Sequence, residues 1–202
     1  MGDLSSSRQR PGARTEDASY FESPFQTKVK MEKRYIDPLG YQHAQWRLAK
    51  SICDSGWRPD IMIALWRGGA AVGVSVHEFL SFHGWRFEHV CVKCSSYANI
   101  GERMDRIEFD EVAEFVFSKI QAEKKVLVVD DVFDTGKTIE AISRRLSHTQ
   151  MRSACVYWKK KNNLTAISPD WFAEETDEWL VFPHEMQGLS PGEIVRKDPF
   201  LA

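Results

Sequence analysis

Between residues 31 and 158 two kinds of hydrophobic pattern alternate along the chain. Tyr41, Ala44, Leu48 and Ile52 recur at the spacing of one helical face, and Gly56 follows as a stop signal. "DIMIALW" (60–66) is instead a continuous apolar run of strand length, ended by Arg67-Gly68-Gly69. A small-residue helix, "AAVGVSVHEFL", and a second strand, "RFEHVCVK", come next. "DEVAEFVFSKI" (110–120) predicts a helix with Val112, Val116 and Ile120 on its apolar side. "KKVLVVDD" predicts a third strand, "KTIEAISRRL" a helix with Ile139, Ile142 and Leu146 in register, and "SACVYW" a fourth strand. Strands that alternate with helices require right-handed crossovers, so the expected fold class is α/β, a mainly parallel sheet flanked by helices.

The flanks read differently. Residues 1–28 are rich in Ser, Arg, Gly and Asp without a sustained period, which predicts a disordered N-terminal extension ahead of a core at 31–158. After residue 158 the texture becomes polar, aromatic and Pro-containing, "KKKNNLTAISPDWFAEETDEWLVFPHE". That change predicts a small separate lobe at 159–202, packed over one end of the sheet.

Composition narrows the function classes. A length of 202 residues with 43% hydrophobic positions suits one domain with a sizeable core and a small appendage. The formal net charge of −2 gives no bulk electrostatic support for binding nucleic acid or a membrane surface. No apolar run of spanning length or secretory core is present, and Asp3, Glu16, Asp17 and Glu22 argue against mitochondrial targeting, so a cytoplasmic protein is expected. Cys91 and Cys94 form a lone CxxC inside a strand-like run, without a second pair at zinc spacing. Packing explains them better than a metal, and a reducing cytosol suits them together with Cys53 and Cys155.

The candidate chemistry is concentrated in "VLVVDDVFDTGKT" (126–138). A nucleotide-triphosphate loop would need glycine where Asp131 stands, and no GxGxxG exists for a dinucleotide. In open parallel sheets ligands bind beyond the C-terminal strand ends. There, adjacent Asp130 and Asp131 can accept hydrogen bonds from the 2′- and 3′-hydroxyls of a ribose. The turn Thr135-Gly136-Lys137-Thr138 enters a helix, where backbone N–H groups and hydroxyls suit a 5′-phosphate. The competing reading makes Asp130 and Asp131 solvated strand-end acids and Asp134 a helix cap.

This stretch resembles the phosphoribosyl-pyrophosphate (PRPP) signature of the type I phosphoribosyltransferases, and the resemblance spans roughly residues 35 to 190. "LWRGG" (65–69) is similar to the family's pyrophosphate loop, which implies pyrophosphate contacts for Arg67, Gly68 and Gly69 and a cis Trp66–Arg67 peptide. "SSY" (95–97), followed by "ANIGERMDR", resembles the mobile loop over the site, and so nominates Ser96 and Tyr97. The tail "WKKKNN…DEWLVFP" resembles the base-covering hood of the 6-oxopurine branch. By position the resemblance implies ribose binding by Asp130 and Asp131, 5′-phosphate binding by Thr135, Gly136, Lys137 and Thr138, and catalysis by Asp134 at the purine N7. It assigns Lys160 to the base O6, with Lys159 as competitor, Trp179 to stacking on the base, and the Leu180 carbonyl to ring position 2. Glu185 falls where relatives often carry an acid for a second magnesium, beyond the Mg²⁺ that arrives with PRPP and meets Asp130 and Asp131 indirectly. One departure stands out: relatives whose segment ends "FPWE" have Trp where this chain has His184.

The function so implied is purine salvage: transfer of ribose 5-phosphate from PRPP to hypoxanthine, guanine or xanthine, by a homo-oligomer (dimer or tetramer) with no nucleic-acid or membrane partner. A phosphoribosyltransferase for another base, and a non-catalytic PRPP- or nucleotide-sensing regulator of the same fold, are the alternatives.

Overall fold

In the computed structural model the described residues are 33–97, 106–198 and 200. The extension expected at 1–28, and most of the loop after Tyr97, lie outside them. The elements are β1 (Lys33–Tyr35), α1 (Pro38–Asp54), β2 (Ile61–Trp66), α2 (Gly68–Phe82), β3 (Glu88–Tyr97), β4 (Arg106–Phe109), α3 (Glu111–Lys119), β5 (Lys125–Phe133), α4 (Lys137–Arg145), β6 (Gln150–Trp158), β7 (Trp171–Glu175), β8 (Trp179–Val181) and α5 (Pro191–Lys197). The main sheet has the order β4-β3-β2-β5-β6-β7, parallel throughout except for the β3–β4 pair. Among the described residues no helix is long and apolar enough to cross a membrane.

The central strands are apolar on both faces because both faces are covered. Met62, Ala64, Leu127, Val129, Ala154 and Val156 pack with the buried sides of α1 and α2. Their neighbours Ile63, Leu65, Val126, Val128 and Cys155 pack with α3 and α4 on the opposite face. Each fully buried aliphatic side chain contributes about 1.5–3 kcal/mol, so this double core dominates stability. Helix α1 starts where Asp37 accepts a hydrogen bond from Gly40 N at 2.7 Å and Pro38 takes the first turn.

Several expectations need correction. Helix α3 buries Ala113 and Phe117 and leaves Val112 62% exposed, so its apolar face is turned away from the expected Val112. Asp110 caps the helix by accepting from Ala113 N at 2.8 Å, and the larger Phe117 ring packs inward beside Val116 and Ile120. The tail is not a wholly separate lobe: β7 pairs with β6 as the sheet's edge strand, and one compact unit runs from Met31 to Ala202. What stands apart is a two-stranded parallel sheet of β1 and β8. In β3, Cys91 and Cys94 are three residues apart on an extended strand and so face opposite sides. Cys91 is exposed, while Cys94 packs against the second core.

Candidate active site

A cleft of about 350 Å³ opens beyond the C-terminal ends of the parallel strands. Strand β5 runs past the apolar core and carries Asp130 and Asp131 into its floor. Asp130 Oδ1 accepts from Asp131 N at 3.0 Å, and Gly69 N–H also donates to this carboxylate. Burial pushes the Asp130 carboxyl well above its ordinary value, and the adjacent Asp131 adds to the shift. Burial also raises Asp131, against the opposing influence of its neighbours Asp130 and His184. Gly68 makes this packing possible: a Cβ there would lie 1.9 Å from Asp131 Oδ2.

A raised folded-state pKa means that the native chain binds more protons than the unfolded chain above the ordinary carboxylate range. Stability of the ligand-free protein therefore falls as pH rises through that range towards the shifted value. Asp130→Asn removes this charge while its amide oxygen can still accept from Asp131 N and Gly69 N. We expect the melting temperature at pH 7 to rise by a few degrees, roughly 1 kcal/mol, as is common when a functional charge is removed. The gain should shrink as pH falls towards 4. An unchanged or lowered melting temperature at pH 7 would contradict the strain assigned to the pair.

After β5 the chain turns at Gly136, whose φ of 80° caps α4 in the left-handed region. An added Cβ would also meet Thr165 Oγ1 at 2.4 Å, so the position requires glycine. Thr135 and Gly136 form the turn and Lys137 and Thr138 open α4, next to the cleft rather than among its lining residues. Asp134 lines the cleft. Its Oδ1 accepts from Asn162 Nδ2 at 2.7 Å, and its Oδ2 lies 3.6 Å from Lys159 Nζ.

Of the two lysines weighed for the base, Lys159 and not Lys160 lines the cleft. Lys159 lines the cleft with its side chain only 12% exposed, and its Nζ lies 5.9 Å from the Trp179 ring centroid. Lys160 is exposed, with its Nζ 5.3 Å from the Trp158 ring. Lys159 N donates to Phe133 O at 2.9 Å, so the strand alternation of β6 runs one residue further before the 3-10 turn Lys160–Asn162 begins. Lys159 therefore shares the side of Tyr157, which packs on Phe182 in the cleft wall. Trp179, 49% exposed, and Leu180 line the hood side from β8.

The peptide Trp66–Arg67 is cis, and Arg67 Nη1 reaches across to Gln187 Oε1 at 3.1 Å. Arg67, Gly68 and Glu185 line the cleft, whereas Gly69 contributes through its contact with Asp130. Ser96 and Tyr97 lie on β3 and pair through the backbone with Ile107 and Arg106, and the segment after them is outside the described residues. Sequence reasoning missed Asn162, Phe182 and Gln187 as cleft or supporting residues. None had a periodic or motif signal; only His184 was marked, by its departure from the family pattern.

The chain matches the phosphoribosyl transferase domain over residues 40–187. It is 30% identical over 149 residues to the xanthine-guanine phosphoribosyltransferase of Ruegeria sp. (strain TM1040), which covers 70% of this chain and 76% of that protein. Among solved structures, the purine phosphoribosyltransferase from Pyrococcus horikoshii superposes with a TM-score of 0.60 at 24% identity, over 79% of this chain and 98% of that one. The Helicobacter pylori xanthine-guanine-hypoxanthine phosphoribosyltransferase gives 0.55 at 22% identity, over 75% and 92%. With this match across most of its core and the acid pair and turn at the strand ends where the fold binds its ligands, the chain belongs to the phosphoribosyltransferase family.

Proposed function

We propose that this protein is a purine-salvage phosphoribosyltransferase that joins PRPP to a 6-oxopurine and releases pyrophosphate. The observation that carries the reading is the pairing of Asp134 and Lys159, 3.6 Å apart beside Trp179. A 6-oxopurine presents O6 and N7 on one edge. An ammonium that donates to O6 and a carboxylate that accepts from N7–H must therefore be neighbours.

In this reading Asp130 and Asp131 hold the ribose hydroxyls, and the turn Thr135–Thr138 holds the 5′-phosphate at the N-terminus of α4. Arg67 and the first-turn amides of α2 face the leaving pyrophosphate. As the bond from C1′ to pyrophosphate lengthens, positive charge grows on the ribose and negative charge on the leaving group, and fixed charges around both lower the barrier. Asp134 takes the N7 proton and makes N9 the better nucleophile. Asp130, Asp131 and Glu185 offer the oxygen donors magnesium prefers, yet among the described residues no group of three such side chains is arranged to hold a metal. That donor set suits a cation that enters with PRPP and keeps its phosphate and water ligands, supplying charge neutralisation at the pyrophosphate. A homo-oligomer in the cytoplasm remains the expected working form; Val74 and Phe82, exposed on α2, offer apolar surface for assembly.

The test is product formation from hypoxanthine, guanine, xanthine, adenine and orotate, each with PRPP and Mg²⁺, followed by chromatography. Nucleoside monophosphate should form from at least one 6-oxopurine and far more slowly from adenine or orotate. Tight PRPP binding without product from any base would favour the nucleotide-sensing regulator instead.

A further inference from the structure

Asp131 is faced by His184, whose Nε2 stands 3.7 Å from Asp131 Oδ2. That separation is too long for a direct hydrogen bond, so each group keeps bonding capacity towards the other. Neither is placed to close the gap. Asp131 rests on Gly68, where even a methyl group has no room. The His184 ring stacks on Phe182 at 5.5 Å and 18°, and Tyr41 packs against it at 6.2 Å. The turn that carries the ring is fixed as well. Glu185 N donates to Phe182 O at 3.0 Å, Lys197 Nζ donates to the same oxygen at 2.7 Å, and Lys197 also bonds Glu185 O.

The result is a gap of 3.7 Å between a carboxylate oxygen and an imidazole nitrogen that both line the cleft. One hydroxyl oxygen about 2.8 Å from both would fill it. A hydroxyl has a single proton to donate and lone pairs to receive another. It can give its proton to Asp131 and receive one from His184 Nε2–H. We propose that His184 is a substrate-binding residue that, opposite Asp131, grips one of the two vicinal ribose hydroxyls and selects ribose over deoxyribose ligands. This rests on the purine phosphoribosyltransferase reading above, since it requires a ribose at Asp131.

The test is calorimetric binding to the full chain of GMP or IMP, whichever binds more tightly, beside its 2′-deoxy and 3′-deoxy counterparts. His184→Phe keeps a ring for the stack but removes the nitrogen. It should weaken the ribonucleotide about tenfold, the scale of one hydrogen bond in a polar site, and change affinity for one of the two deoxynucleotides less than about twofold. His184→Gln, which restores a donor, should recover part of the preference, and it decides the matter if the phenylalanine variant does not fold. Equal weakening of all three ligands, or no weakening of the ribonucleotide, overturns the role of His184 alone. Failure of the unaltered protein to bind any of these nucleotides overturns the purine reading and this inference with it.

Discussion

Lys159→Met is expected to lower kcat/KM for hypoxanthine by at least about 10²-fold, while Lys160→Met stays near wild type. The Lys159 ammonium is largely shielded between Asp134 and the Trp179 ring, whereas Lys160 lies outside against Trp158. An ammonium can only donate, so it pairs with the O6 carbonyl of an oxopurine and meets another donor in the 6-amino group of adenine. A charged hydrogen bond contributes about 1.5–3 kcal/mol, and an unpaired Lys159 beneath a bound base adds to the penalty for adenine. At about 1.4 kcal/mol per tenfold, that contact alone separates the two bases by about two orders of magnitude. Methionine should therefore also narrow the gap between hypoxanthine and adenine, with KM for PRPP little changed. Steady-state kinetics on both variants decide it: loss of activity confined to Lys160→Met would move the base-binding register back by one.

Asp134→Asn is expected to cut kcat by about 10²-fold or more, within the range of general acid–base groups, and to leave PRPP affinity near wild type. The asparagine keeps the shape of the side chain, and its oxygen can still accept from Asn162 Nδ2. It cannot take up the N7 proton. Asp130, Asp131 and the turn at Gly136, which the proposed function assigns to PRPP, are untouched by the change. Single-turnover measurement alongside PRPP titration separates the two effects, and near wild-type kcat in Asp134→Asn would remove Asp134 from catalysis.

The sheet was legible because its strands are apolar on both faces and its helices on one, two patterns that differ in length and period. The acid pair and the turn at Gly136 were legible because their chemistry is contiguous in sequence. Two kinds of feature were not. On α3, Val116 and Ile120 pack against the second core as expected, but Val112 was misplaced because it is as apolar as the buried Ala113 beside it, and local composition does not separate the two. The register of the three consecutive lysines depends on one backbone hydrogen bond, Lys159 N to Phe133 O, between segments far apart in sequence. His184 lines the cleft, and Gln187 and Asn162 bond to its lining residues Arg67 and Asp134, only through long-range meetings that no local pattern encodes.

The pairing of β1 with β8 has a consequence for how the protein is made. Lys33–Tyr35, at the start of the described chain, lie in register with Trp179–Val181 near its end, and Lys33 is clamped to Glu193 in α5 at 2.5 Å. During synthesis the strands β2 to β6 leave the ribosome in order and can assemble as they appear. The first strand has to wait for a partner that follows all the strands of the main sheet, a non-local closure of the slow kind. Until then the nascent chain holds Asp130 and Asp131 in a sheet without the opposite wall of the cleft, and Trp179 and His184 are not yet in place. That wall of the cleft is therefore completed only once β8 has been made, after the strands of the main sheet.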